Sequence, residues 1–481
     1  MSPKTRKLLL RSALLPLAAA ALAIAGCSST MLSSTQQYTG PTGPAFVIGT
    51  DAPMAAVSSF QATVESVQLT PSGGGTAVSV LSGTPTVDFA RFNGLQTLLD
   101  MTSIPAGTYS SVTITLSTTG TIGYLDTSSS PPKISTMAAT ISPASVTITL
   151  DKTLTIVKDG TPAGLRVDFD LAKSIATDTS GAITGAVTPT FDVSVVAPSD
   201  SGAHIDELIG SVTTVPTATT EPSSFAITGP HGEQFTINTT STTEWDGTAS
   251  LSTLNTNSIV LVAGTLDTAD QTLDADEVAV LSDTGFYAGG LVTYVTPTSG
   301  AASSFDFYVR SVLPASTGVQ LGNIAQVNLT GNEKFGIYWM HNAFTQFLFN
   351  SSALTPGQEI AVGGTAANAA SASAVTVNRI HLRAWGYNGT VVKGSQNSGL
   401  GSFQMQITGF AGVVVPSTVT VYLGNRCDFR YGFGKFGDLA DGTKVRVVGL
   451  LLKNPTDGSL VLLARHVDSN DFKDFTTSSW H

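Results

Sequence analysis

LADGTKVRVVG, residues 439–449, sets a leucine ten residues ahead of a glycine. Asp441-Gly442 supplies a turn, the stretch that follows alternates as a half-buried strand does, and Gly449 ends it. The same spacing returns in LNTNSIVLVAG (Leu254–Gly264) and in LTPGQEIAVGG (Leu354–Gly364). Each copy sits in a larger block with a shared plan. The blocks open on IGSVTTV at 209, GGLVTYV at 289 and NGTVVKG at 388, and continue into a strand led by Ser-Phe (SSFAIT, SSFDFYV, GSFQMQI). They close on LDADEV, VTVNRI and LLARHV. A glycine at a fixed place in a strand means either positive φ or a neighbour so close that no Cβ fits. Blocks of about five short strands point to small barrels, whose closure removes exposed strand edges. The expected units are 204–283, 286–384 and 385–472, each able to fold alone.

Ahead of these blocks, residues 45–198 alternate in the same manner, in SSFQATVESVQLT, SSVTITLS, ASVTITLDKTLTIV and TFDVSVVAP. Few charges, scarce helix-forming stretches and abundant Thr, Ser, Val and Gly give an all-β chain. The expected fold is an antiparallel β-sandwich followed by three barrel-like repeats. One segment departs from the alternation: in RFNGLQTLLDM, Leu95, Leu98 and Leu99 fall at helical spacing, which predicts a short helix or an ordered crossover.

The N-terminus carries an address. Lys4, Arg6, Lys7 and Arg11 precede an apolar run over residues 12–24, too short to span a bilayer and suited to a secretory signal. Ile24-Ala25-Gly26-Cys27 resembles a bacterial lipobox, in which the signal (1–26) is cut ahead of a cysteine that then carries acyl chains, palmitate among them. That resemblance implies lipidation at Cys27 and attachment to a lipid bilayer. Ser28 stands where an aspartate would favour retention at the inner membrane, which points to the outer membrane of a Gram-negative cell. Residues 27–44 are the lipidated cysteine and a Ser/Thr/Gly/Pro-rich tether, expected to be flexible.

Two further resemblances come from quoted motifs. TDAP after the first strand, VESVQLTPSGG, VDFARFNGLQTLL and IPAGTYSSVTITL make residues 45–119 closely, and the rest of the domain to 198 loosely, resemble the bacterial lipoprotein family called domain of unknown function 4382. The resemblance implies a β-sandwich in an exported protein and supplies no catalytic residues. The Leu-to-Gly blocks resemble domain of unknown function 5666, the third block most closely. The second carries an insertion, NEKFGIYWMHNAFTQFLFN, that departs from the pattern.

Charge and motifs narrow the chemistry. The whole chain bears −11; removing the four basic residues of the signal leaves 19 Lys and Arg against 34 Asp and Glu, or −15. Such a surface repels phosphate backbones, and no basic stripe offsets it, so nucleic acid is excluded as a partner. With Cys27 acylated, Cys427 has no cysteine to pair with and reads as an inert thiol. His204, His231, His341, His381, His466 and His481 show no metal-ligand spacing, no nucleophile elbow occurs, and SPPK at 130–133 has prolines where a Ser-x-x-Lys site needs a helix.

Two candidates remain. Asp267, Asp270, Asp274, Asp276 and Glu277 in LDTADQTLDADEV present hard oxygen ligands to calcium, although the spacing is not that of an EF-hand and the same residues also suit a solvated turn. Tyr338, Trp339 and Phe344 in the insertion could form an aromatic binding surface, or alternate into a barrel core. The sequence therefore describes a membrane-anchored envelope lipoprotein with a non-catalytic binding or structural role toward an envelope protein or glycan. It needs no cofactor beyond that calcium. The alternative is an enzyme, or enzyme subunit, acting on envelope glycans or peptides through residues that no motif reveals.

Overall fold

The computed structural model describes residues 40–469 except 53–56, 93–94, 127–132, 198–202, 217, 219, 231, 247–249, 268–271, 315–318, 339–346, 366–373, 408–417 and 431. Strands are their dominant regular structure, and these residues form one compact unit.

Two sheets make the N-terminal domain. The smaller holds Thr42–Ala52 between Thr97–Pro105 and Ala163–Asp170, with Phe191–Val196 at its edge. The larger is built on Val57–Pro71 and the 20-residue strand Gly107–Asp126. The sandwich is not purely antiparallel. Thr42–Ala52 runs parallel to Ala163–Asp170, and Lys133–Ile141 runs parallel to Ile183–Val187.

The expected helix is absent from Leu98 and Leu99: a 3-10 turn covers Phe89–Arg91, and Thr97–Pro105 is a strand. Its smaller sheet is covered on both faces, so neighbouring leucines are buried in opposite directions. Leu99 packs on the sandwich core and Leu98 on the core of the first barrel. A strand buried on both faces reads as a continuous apolar run, and the helical spacing was coincidental. Phe46 and Ile48 face the barrel and Ala45 and Val47 the sandwich by the same alternation, giving three layers.

The three barrels share one plan. Barrel 1 uses Ile205–Thr214, Ser223–Thr228, Gln234–Thr239, Ile259–Leu266 and Leu273–Ser282; barrel 2 uses Phe286–Thr296, Ser304–Leu313, Ile324–Asn328, Glu359–Thr365 and Ala374–Arg383. Barrel 3 uses Trp385–Val391, Ser402–Ile407, Thr418–Arg430, Lys444–Lys453 and Leu460–Ser469. In each, the first strand pairs with the second and fourth, and the third closes the ring by running parallel to the fifth. That order, 1-2-3-5-4, is the Greek-key order of the OB-fold.

A further piece of chain pairs parallel with the fifth strand in every barrel: Glu244–Trp245, Lys334–Ile337, and the late part of Thr418–Arg430. It brings an aromatic residue to the same register point, with Trp245 opposite Val278, Phe335 opposite Ile380 and Phe429 opposite Val467. The first part of the aromatic insertion in barrel 2 is thus a strand of the repeat.

The Leu-to-Gly spacing has a single physical cause. Between the fourth and fifth strands the register slips immediately before Gly264, Gly364 and Gly449. At this bulge the fifth strand crosses so closely that a Cβ would lie 2.0 Å from Asp274 O, 2.1 Å from Thr376 O and 2.1 Å from Leu463 O respectively. None of the three glycines has positive φ, so the requirement is for space and not for an unusual backbone.

The cores run together. Barrel 1 residues Leu261 and Leu281, barrel 2 residues Phe307 and Ile360, and barrel 3 residues Val448 and Leu450 share one cluster, joined by Leu95 of the sandwich. We expect Gly449→Val to lower the stability of the whole chain by about 1–3 kcal/mol through backbone displacement. Gly73→Ala, where a Cβ meets nothing within 4 Å, should leave melting unchanged. Calorimetry on the two variants checks this, and equal melting temperatures would remove the steric explanation of the repeat.

Candidate functional site

The first strand of barrel 1 places two adjacent carboxylates, Asp206 and Glu207, inside an apolar sequence. Regular alternation would bury one and expose the other. A bulge prevents this: Ile205 pairs with Gly264 and Leu208 with Val262, so three steps on one strand face two on the other. Both carboxylates are consequently buried, at 1% and 5% exposure.

Each then meets partners from other parts of the molecule. From the sandwich, the Gln96 N–H donates to Asp206 Oδ2 at 3.0 Å, and the Thr97 hydroxyl donates to the Glu207 carbonyl at 2.6 Å. Arg465, on the last strand of barrel 3, sits 3.3 Å from Asp206 Oδ1 and 3.2 Å from His204 Nε2. Arg383, at the end of the last strand of barrel 2, forms an ion pair with Glu207. The dipeptide therefore touches all four parts of the fold.

Around Glu207 the charges multiply. Arg383 Nη1 donates to Tyr287 Oη at 2.7 Å, and that hydroxyl lies 2.8 Å from Ser311 Oγ. Arg310 Nη1 donates to Glu359 Oε2 at 3.4 Å. The Arg310 guanidinium also lies 4.6 Å from the centre of the Trp385 ring, whose π face stabilises a cation. From the sandwich come Asp88, which accepts the Phe60 N–H at 2.9 Å, and the half-buried Arg91. Three guanidinium groups thus face the carboxyls of Asp88, Glu207 and Glu359. The crevice between Arg91, Glu207, Arg310, Glu359, Arg383 and Trp385 is too narrow to seat a water-sized sphere.

Burial sets the ionisation here. It raises Glu359 from 4.5 to about 7, opposed by the positive charge of Arg310. It lowers Arg383 to about 9, well below the ordinary guanidinium range, with Arg91 pushing the same way. Asp88 is raised by burial, against the pull of Arg310. Elsewhere on the sandwich, burial takes Asp168 from 3.8 to about 6, with Arg166 and Arg446 of barrel 3 pulling it back. Arg446 binds Asp468 Oδ2 through Nε at 3.2 Å and Nη2 at 3.0 Å.

Barrels 1 and 2 have further ties. Asp283 holds Arg379 at 3.0 Å, and His381 Nε2 lies 2.8 Å from Asp246 Oδ2. Between barrels 2 and 3, the Gln358 amide donates to Leu451 O at 3.0 Å and the Tyr387 hydroxyl to Gly357 O at 2.9 Å. Chemically, the arrangement is a set of mutually neutralising pairs, some joining barrels and some lying within one, and its charges face each other and not an open cleft.

The residues singled out in sequence fall elsewhere. Of the calcium candidates, Asp270 lies outside the described residues. Asp274 accepts the Asn238 amide at 3.0 Å, the Asp276 side chain is 65% exposed beside His204, and Glu277 is buried in the strand at 4%. Asp267 follows the preceding strand, across the turn from the other three, with its N–H donating to Thr272 O at 2.7 Å. The described members therefore do not converge, because strand alternation and burial send them in different directions. Among the described residues, no three His, Cys, Asp or Glu side chains could hold one metal ion.

Tyr338 is not on a binding surface. It is 3% exposed within the shared barrel core, and burial raises its hydroxyl pKa well above the ordinary value, with Glu277 adding to the effect. Trp339, Phe344 and the lipidation candidate Cys27 lie outside the described residues. Asp206, Glu207, Arg310, Glu359 and Arg383 were missed. The available signal was a pair of carboxylates, and single arginines, inside otherwise apolar strands.

Two outcomes follow from this geometry. Glu207→Gln removes the charge opposite a buried Arg383 and should destabilise the chain by about 3–5 kcal/mol in denaturant titration. A loss below about 1 kcal/mol would mean that the pair joins nothing of consequence. The pH dependence has a defined sign. The folded-state pKa values of Glu359 and Asp168 exceed their ordinary ones, so the folded chain holds these protons more tightly. Their stabilising effect is complete below about pH 4 and is lost as pH rises through about 6 to 7. Stability should fall from pH 5 to pH 8, by on the order of 3 kcal/mol for Glu359 alone. Glu359→Gln should remove most of that slope, and an unchanged slope in the variant would rule Glu359 out as its source.

The family model described as Domain of unknown function (DUF4382) matches residues 45–184, the greater part of the sandwich. No curated protein and no solved structure matches the chain. The N-terminal domain is thus similar to a family of unknown function, and the barrels stand on their own geometry.

Proposed function

We propose that this protein is a lipid-anchored component of the bacterial cell envelope, held at the outer membrane of a Gram-negative cell through Cys27. Its β body binds or braces an envelope protein or glycan without catalysing a reaction. The anchor rests on Ile24-Ala25-Gly26-Cys27 after a short apolar run, with Ser28 following. The observation that carries the binding or structural role is the use of the densest charge cluster. Arg383 and Glu207 pair between barrels 2 and 1 while Arg310 and Glu359 pair within barrel 2, which favours rigidity over chemistry. The common strand plan of the barrels supports reading them as copies of a unit resembling domain of unknown function 5666.

Cys27→Ser tests the anchor. The variant should leave the detergent phase on phase separation and appear in the soluble envelope fraction, or accumulate with its signal uncut. Two acyl chains or more bind a bilayer for practical purposes irreversibly, so an unchanged partition would overturn the reading.

A further inference from the structure

The chain enters its folded body at one corner of the sandwich. Pro41 O accepts the Ala106 N–H at 2.8 Å, and Thr42 O accepts the Asp159 N–H at 3.3 Å. Three segments are therefore gathered there: the entry itself, the turn between Pro105 and Gly107, and the turn after Ile156. Val157 stands out from this corner at 55% exposure, with the exposed Lys158 beside it.

The long strand Gly107–Asp126 leads away from that corner. Near its other end Gly123 faces Tyr308 of barrel 2, whose hydroxyl would lie 2.5 Å from a Cβ there. Leu125 at the same end pairs with Ile134, which packs on the core of barrel 3. Sixteen residues separate Gly107 from Gly123, up to about 50 Å at the rise of a strand. The smaller sheet agrees: Asp168, which feels Arg446 of barrel 3, pairs with Thr50, remote from Thr42.

Building on the lipid-anchor reading, we propose that the corner around Pro41, Pro105 and Val157 faces the bilayer, and that the sandwich is a spacer displaying barrels 2 and 3 away from it. Residues 28–39 separate the acylated cysteine from this corner. Even at full extension twelve residues reach about 40 Å, less than the length of the sandwich strand. The far end could reach the surface only if the body lay on its side. A net charge of −15 opposes that posture on an anionic leaflet.

The test uses the full lipidated protein in vesicles of phosphatidylethanolamine and phosphatidylglycerol that carry a nitroxide headgroup lipid. In a Cys427→Ser background, a fluorophore is placed at Val157→Cys or at Leu400→Cys on barrel 3, both exposed positions. Emission at 157 should lose most of its intensity and emission at 400 should keep it. Equal quenching, or stronger quenching at 400, in protein that floats with the vesicles would overturn the orientation and leave the anchor standing. Protein that fails to float would overturn the anchor and the orientation together.

Discussion

A single bulge in the first strand of barrel 1 turns both Asp206 and Glu207 inward, and the arrangement of the four parts of the molecule depends on it. Two buried carboxylates without partners would be untenable in a domain whose net stability is only some 5–15 kcal/mol. Each is answered from outside its own barrel, by a sandwich amide, by Arg465 and by Arg383. The cost of leaving any of these groups alone in the interior penalises states in which one part has swung away. A buried pair adds little stability over an apolar replacement, but it penalises wrong arrangements strongly. That is the property needed to fix how four β units, each with generic apolar faces, sit together.

Apolar packing fills in around this charged junction. The small sheet of the sandwich is a shared wall, with Ala45 and Val47 on one side and Phe46 and Ile48 on the other. Barrels 2 and 3 exchange core residues, and Leu291 of barrel 2 lies in the core of barrel 3. The glycines of the repeat work at a shorter range. Gly264, Gly364 and Gly449 let the fifth strand cross the bulge, while Gly363 lets barrel 1 approach: a Cβ there would lie 2.0 Å from Leu281 O. Closure of each barrel and contact between barrels thus both draw on small residues.

The β class and the repeat were legible because both leave periodic marks. Alternation marked strands such as Val57–Pro71 and Ser145–Ile156, and the Leu-to-Gly spacing marked a bulge before its cause was visible. Thr97–Pro105 was misread because a strand covered on both faces loses its alternation. The parallel pairing of Thr42–Ala52 with Ala163–Asp170 was hidden because register between strands so distant in sequence leaves no local trace. The sharing of core between the barrels was hidden for a related reason. Residues such as Leu261 and Val448 look like ordinary core positions, and nothing local tells which barrel they face. The junction escaped for the opposite reason: Arg383 lies far in sequence from Asp206 and Glu207, the three match no motif, and only the bulge makes the two neighbouring carboxylates point inward together. The calcium and aromatic candidates were drawn from local composition, which distinguishes an inward side chain such as Glu277 or Tyr338 from an outward one only once register is known.

Coupling of the four parts through this junction is the central physical claim, and native-state hydrogen exchange on the chain from residue 28 onward measures it most directly. Amides in Val64–Leu69 of the sandwich, Ile259–Val262 of barrel 1, Ile360–Val362 of barrel 2 and Val445–Val448 of barrel 3 all belong to buried strands. If the junction binds the parts into one cooperative body, their slowest amides will share one opening free energy and one dependence on denaturant. Distinct opening free energies for the sandwich and for each barrel would contradict the account.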